Sequence, residues 1–451
     1  MLTQKNKIII VDNEESELYR LGKAFLNVGV GCKTILYDIT HETPFNHVRI
    51  AFFDINLTLA KEILSDQDIE EIKNNHTQVF NDLANAINQY IAISNGPYAL
   101  IFWTKNQVLV NAFIKYVRER EIEIANPILI GTLDKTLYND DNLDNLITDL
   151  STLLNSNEQI KFLFELEEAC RKAGEKTLNK IHEISPKDTV FGESTTLFDN
   201  LDSIFSKIAV SSLGFEHAKE NPKKGVYEGL VPILNYEFLN NESLINWDIV
   251  TDKLTKAKKH SDITIGEPSV QPNINSLYHI ENSLTGLQNL QTTRGAVFLL
   301  DKSNPELLHN FGIHNADRWF NDLIPINDST KRRSLRGNSQ LIAVEISAAC
   351  DYSNKKSRIN KYILGIIVDD FDTNQYLDKY RRSESSYHLG GCSFYLNGNP
   401  KQIWLNLNFV FSALPNDSRL ANPTFILKKE IMDMLGNKYA SHISRIGITS
   451  I

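Results

Sequence analysis

The chain has 451 residues, a net charge of −9, 42% hydrophobic residues and 23% charged residues. That balance fits a globular protein of about two to four domains, and its acidity argues against nucleic acid as the main partner, because phosphate binding needs a basic surface. No apolar stretch approaches the roughly 20 residues that span a bilayer, and no secretory leader precedes the first strand, so no membrane partner is expected. Cys32, Cys170, Cys350 and Cys392 lie far apart with no CxxC pair. That spacing excludes a disulfide framework or zinc ribbon and predicts a reducing, cytoplasmic setting.

In chain order, residues 7–12 read as a buried strand, and Glu15 to Leu26 as a helix with Leu18, Leu21, Phe25 and Leu26 on one face. Gly29 and Gly31 close it. Cys32 to Tyr37 and Val48 to Phe53 read as the second and third strands. A helical stretch, Ile63 to Ile93, is expected in two pieces before the Gly96-Pro97 break. Leu100 to Trp103 is a fourth strand, Gln107 to Arg120 a helix, Ile128 to Leu133 a fifth strand and Leu143 to Leu154 a helix. Strands alternating with helices predict an α/β domain with a doubly wound, five-stranded parallel sheet over residues 1–150.

Residues 151–248 read as a helical connecting domain. Its stripes are Phe162, Leu163, Leu166, Ala169 and Cys170, then Leu197, Leu201, Ile204, Phe205 and Ile208. Glu220 to Gly225 reads as a turn, and Gly229 to Leu239 as a helix interrupted at Pro232. From 249 to 451 the pattern is α+β. Strand-like runs occupy Gly295 to Leu300, Gln340 to Ile346, Tyr362 to Val368 and Gln402 to Phe409, and Phe425 to Ala440 reads as a closing helix. The basic run Lys331 to Arg336 reads as a solvated loop.

The ends of the N-terminal strands carry the chemistry. The first runs into Asp12-Asn13-Glu14, the third into Asp54, the fourth into Thr104, and the fifth into Asp134 and Lys135. In an open parallel sheet, ligands sit beyond the carboxyl ends of the strands. The strands therefore deliver acids, a hydroxyl and a lysine to one edge. That set suits a divalent metal and a phosphoryl group, and it makes Asp54 a candidate phosphoacceptor.

The order Asp12-Asn13-Glu14, Asp54, Thr104, Lys135 resembles the receiver domain of two-component response regulators, over roughly residues 5–150. The resemblance implies a flavodoxin-like fold, with Asp54 phosphorylated by a partner histidine kinase. It implies magnesium held by Asp12, Glu14, Asp54 and the backbone carbonyl of Asn56. Thr104 and Lys135 would bind the phosphoryl group and switch with it, and a downstream effector would read the change. Asn13 stands where the family usually has a second acid, and Thr136 where it has a proline.

The C-terminal region loosely resembles uncharacterised bacterial proteins linked to receiver domains and phage-defence loci. The resemblance lies in Ala343 to Lys356 and in Ala440 to Gly447. It points to a regulator or phosphate sink more than to a dedicated catalyst. The alternatives are a receiver-gated enzyme and a scaffold with a degenerate receiver. For the enzyme, Cys350, Asp351, Lys355, His388 and Cys392 are the candidate site residues, with His442 nearby in chemistry. His388-x3-Cys392 has usable metal-ligand spacing.

Overall fold

The computed structural model describes residues 7–57, 70, 77–139, 142–282, 284, 292–347, 359–414, 417–420 and 422–444. They cluster into two compact units, residues 1–180 with 234–257, and residues 181–233 with 258–451. The residues expected to form a separate helical domain, 151–248, divide between the two. Among the described residues, no helix is long and apolar enough to cross a membrane.

The first unit is built on β1 (Ile8–Asp12), β2 (Lys33–Leu36), β3 (Ile50–Phe53), β4 (Ala99–Thr104) and β5 (Leu129–Asp134). The strands are all parallel and ordered β2-β1-β3-β4-β5. Their near-continuous apolar composition follows from burial on both faces. On one face, α1 (Glu15–Asn27) and α4 (Leu143–Leu154) close a core with Ile10, Phe52, Ile101 and Trp103. On the other, α2 (Thr77–Tyr90) and α3 (Val108–Glu119) cover Val11, Phe53, Leu100 and Phe102. Of the helical stretch expected from Ile63, only the second piece, α2, falls among the described residues apart from Glu70. The strand order reverses between β1 and β3, which leaves a crevice at their carboxyl ends.

The long helix α5 (Glu158–Ile184) is tied to the other end of this sheet. Its Glu167 carboxylate accepts from Lys7 Nζ at 2.8 Å and from Arg49 Nη2 at 2.7 Å, at the starts of β1 and β3. Leu163, Leu166 and Cys170, expected on its apolar stripe, are exposed. The buried positions are Ala169, Ala173, Thr177 and Ile181, a narrow line at four-residue spacing.

Three further helices follow, α6 (Thr195–Leu213), α7 (Phe215–Glu220) and α8 (Pro222–Leu239). Here the expected turn at Glu220 to Gly225 is replaced by helix. Pro222 opens α8, where its missing N–H costs nothing and its fixed φ favours the first turn. Asn221 Oδ1 accepts from Lys224 N–H at 3.0 Å. Gly225 and Gly229 serve packing instead of turning. A Cβ on them would lie 2.8 Å from Ala209 Cβ and 2.3 Å from Ile208 Cγ2.

The second unit carries an antiparallel sheet ordered β10-β11-β9-β8-β7-β12-β6. Its strands are β6 (Ile280–Glu281), β7 (Ala296–Leu300), β8 (Gln340–Glu345), β9 (Asn360–Asp369), β10 (Ser386–Leu396), β11 (Asn399–Ala413) and β12 (Phe425–Leu427). Cores form on both faces, one around Trp404, Phe298 and Leu364, the other around Phe394, Ile403 and Leu435. The expected closing helix begins later, at Lys429, because Phe425 to Leu427 pairs with β7 and β6. The basic run expected as a loop lies on a helix, Ser329–Asn338, capped by Asp328 Oδ1 on the Lys331 N–H at 2.6 Å.

Candidate functional site

The chemistry gathers at the β1/β3 crevice. In register, Val11 lies opposite Phe53, so the next residues on each strand, Asp12 and Asp54, come side by side. Strand β5 ends at Asp134, and a 3₁₀ turn, Lys135–Leu137, follows at once. That turn sends the Lys135 ammonium between the two acids, 2.8 Å from Asp12 Oδ2 and 2.7 Å from Asp54 Oδ2. All three side chains are buried.

Two carboxylates facing one ammonium, out of water, define the electrostatics. Burial pushes the Asp12 carboxyl up to about 6, against the pull of Lys135, and the Asp54 charge adds to the rise. For Lys135, burial acts downward, and the charges of Asp54 and Asp12 more than offset it, leaving the ammonium held above its ordinary value. It therefore stays charged throughout the physiological range.

Each strand end is shaped by the same local device, a side-chain oxygen accepting the amide two residues on. Asp12 Oδ1 accepts from Glu14 N–H at 2.9 Å, and Asp54 Oδ1 from Asn56 N–H at 3.1 Å. Thr104 Oγ1 accepts from Asn106 N–H at 3.1 Å, and Asp134 Oδ1 from Thr136 N–H at 2.9 Å. Each acid of the crevice thus spends one oxygen on its own turn and presents the other to Lys135.

The structure brings together Asp12, Asp54 and Lys135. Glu14, expected as a carboxylate ligand, reaches the site through its amide. Thr104 is buried at the same edge, beside Asp134. It falls on the face of Leu100 and Phe102, and the hydrogen bonds of the described residues do not join it to the Lys135 cluster. Among the described residues, no group of three or more His, Cys, Asp or Glu converges. Asp12 and Asp54 are the pair of hard oxygen donors that can serve a cation here.

Sequence reasoning missed Glu17 and Trp103. Glu17 sits on the buried face of α1 with Leu18, Leu21 and Phe25, whereas Leu26, expected there, is 70% exposed. The reason is a partner: Trp103 donates its indole N–H to Glu17 Oε2 at 3.0 Å, and Arg20 Nη1 pairs with Glu17 Oε1 at 3.0 Å. The signal available in the sequence was the helical spacing of Glu17 with Leu21 and Ala24.

In the second unit, Cys350, Asp351 and Lys355 lie outside the described residues. His388 and Cys392 are near neighbours across a bulge in β10, with Gly390 and Gly391 both at positive φ. They do not form an imidazole–thiol pair. His388 Nε2 meets the Cys392 carbonyl at 3.1 Å, and its ring lies flat on Trp404, with centroids 4.5 Å apart. Burial lowers the His388 imidazole to about 4 and raises the Cys392 thiol. A neutral, stacked imidazole and an undissociated thiol describe packing more than catalysis. His442 bonds Asn408 Oδ1 at 2.8 Å.

No family model, curated protein or solved structure matches this chain.

Proposed function

We propose that the first unit is a receiver-like phosphoacceptor, with Asp54 as the nucleophile and a histidine kinase as the donor. The observation that carries this reading is the pair of strand-end carboxylates at the β1/β3 crevice sharing one buried lysine. A carboxylate oxygen of Asp54 attacks the phosphorus of the donor phosphohistidine. The P–N bond breaks, the imidazole leaves with the bonding pair and takes up a proton, and an aspartyl phosphate forms.

The residues present suit magnesium. Two buried carboxylates outnumber their single ammonium, and burial together with the Asp54 charge keeps the Asp12 carboxyl raised against the pull of Lys135. Magnesium takes hard oxygens, keeps several waters and needs only one or two carboxylates. Asp12, Asp54 and the Asn56 carbonyl would hold it, and it would supply charge neutralisation for the incoming phosphoryl oxygens. Lys135 pairs with the transferred group as a point charge. Thr104, buried at the same edge, is the strand-end hydroxyl assigned to hydrogen-bond it.

The test is intact-mass analysis of the full chain incubated with acetyl phosphate and magnesium. The expected result is one phosphate per chain, labile to hydroxylamine and absent in Asp54→Asn. Folded wild-type protein that gains no phosphate with magnesium, or an Asp54→Asn variant that gains as much as wild type, overturns the assignment.

A further inference from the structure

Behind the acidic edge lies a second buried polar assembly that phosphoryl transfer does not use. Trp103 is 1% exposed, on β4 one residue before Thr104, and it faces α1 and α4. Its indole N–H is committed to Glu17 of α1 at 3.0 Å, and Glu17 is held in turn by Arg20. The Trp103 ring stacks on Tyr138, with centroids 5.6 Å apart and planes 29° apart. The Tyr138 hydroxyl donates to Asp149 Oδ2 of α4 at 2.8 Å.

Tyr138 directly follows the 3₁₀ turn whose first residue is Lys135. Such a turn advances about 2 Å per residue and is tightly wound. This one is pinned at its start by the Asp134 carboxylate, which accepts from both the amide and the hydroxyl of Thr136. Lys135 and Tyr138 are therefore two ends of one short, stiff segment. One end touches both acids. The other touches Trp103 and α4.

We infer that Glu17 and Trp103 are positioning residues that hold the Lys135–Tyr138 segment, and that they carry any displacement of Lys135 to α1 and α4. The inference rests on the phosphoacceptor reading. A phosphoryl group on Asp54 adds about −1.5 to −2 charges beside the ammonium, which follows the new oxygens. The segment moves with it, the Tyr138 ring slides on Trp103, and the Glu17 hydrogen bond fixes how far Trp103 yields. The signal thus leaves the site on the α1/α4 face of the sheet, through aromatic stacking and one indole N–H. Glu17 and Trp103 touch neither phosphate nor metal.

The experiment uses the full chain labelled with 5-fluorotryptophan, treated with acetyl phosphate and magnesium, with phosphate incorporation read by intact mass on the same sample. The Trp103 fluorine resonance, one of four from Trp103, Trp247, Trp319 and Trp404, is assigned with Trp103→Phe. If that variant does not fold, it is assigned by elimination with Phe at the other three. The expected result is a Trp103 shift that tracks phosphate incorporation. In Glu17→Leu, which leaves the indole N–H without its acceptor, incorporation persists and the shift is at least halved. Incorporation without a Trp103 shift overturns the inference and leaves the phosphoacceptor reading standing. An undiminished shift in Glu17→Leu overturns the role of Glu17. No incorporation in wild type removes both.

Discussion

Replacing Asp12 by Asn gives the sharpest quantitative test of the electrostatics at the acidic edge. The carboxyl is raised from its ordinary 3.8 to about 6, chiefly because folding buries it. Well below the ordinary value of 3.8 both folded and unfolded chains hold this proton. Between pH 4 and 6 the folded chain holds more of it, so stability falls as pH rises, and the loss is complete above the folded value. Each tenfold change in proton affinity is worth about 1.4 kcal/mol, so the shift amounts to about 3 kcal/mol. Asp12→Asn removes the titration and keeps an oxygen that can accept the Glu14 amide. The stability of Asp12→Asn minus that of wild type should therefore grow by about 2–2.5 kcal/mol from pH 4 to pH 7, without metal, because part of the change already lies below pH 4. Native-state hydrogen exchange of the β1 and β3 amides, corrected for intrinsic pH dependence, reads this unit directly. A difference that stays flat across that range would refute the argument that burial dominates Asp12, and a difference that shrinks would reverse its sign.

Two other substitutions follow from the same geometry. Lys135→Met strands two buried carboxylates against each other and should cost about 3–5 kcal/mol at neutral pH. The deficit should narrow toward pH 4 as the raised Asp12 carboxyl takes up its proton, and urea midpoints across that range would expose a pH-independent deficit if this is wrong. Glu167→Gln loosens the ties of α5 to Lys7 and Arg49, a partly exposed network, and should cost about 1–2 kcal/mol. Half or more of that cost should vanish in concentrated salt, where the wild-type bridges are screened; equal costs at low and high salt would contradict it.

The parallel sheet was legible in the sequence because strands buried on both faces are written as unbroken apolar runs. Ile8 to Val11, Ile50 to Phe53 and Ala99 to Trp103 all have that form. The convergence of Asp12, Asp54 and Lys135 followed from knowing which residue ends each strand. Other elements hid for physical reasons. Strand β10 is an edge strand with a bulge at Gly390-Gly391, so its alternation is broken. Gly225 and Gly229 look like turn punctuation but supply close helix contact. Glu17 reads as a solvated charge on an amphipathic helix; the neighbouring Arg20 and the indole of Trp103, 86 residues away, together make its burial favourable. Such pairs are long-range bargains between polar groups, invisible to any local pattern.

The amide-accepting turns at the strand ends impose a constraint on how this site can be imitated. Asp54 serves as charge and as local scaffold at once, through different oxygens. Asparagine keeps the oxygen that shapes the turn and discards the charge, so it is a faithful silent stand-in. Glutamate keeps the charge but carries it one methylene further from the backbone, too far to close the turn onto Asn56. At this position, then, a charge-preserving substitution is also a backbone perturbation, and its phenotype reports both.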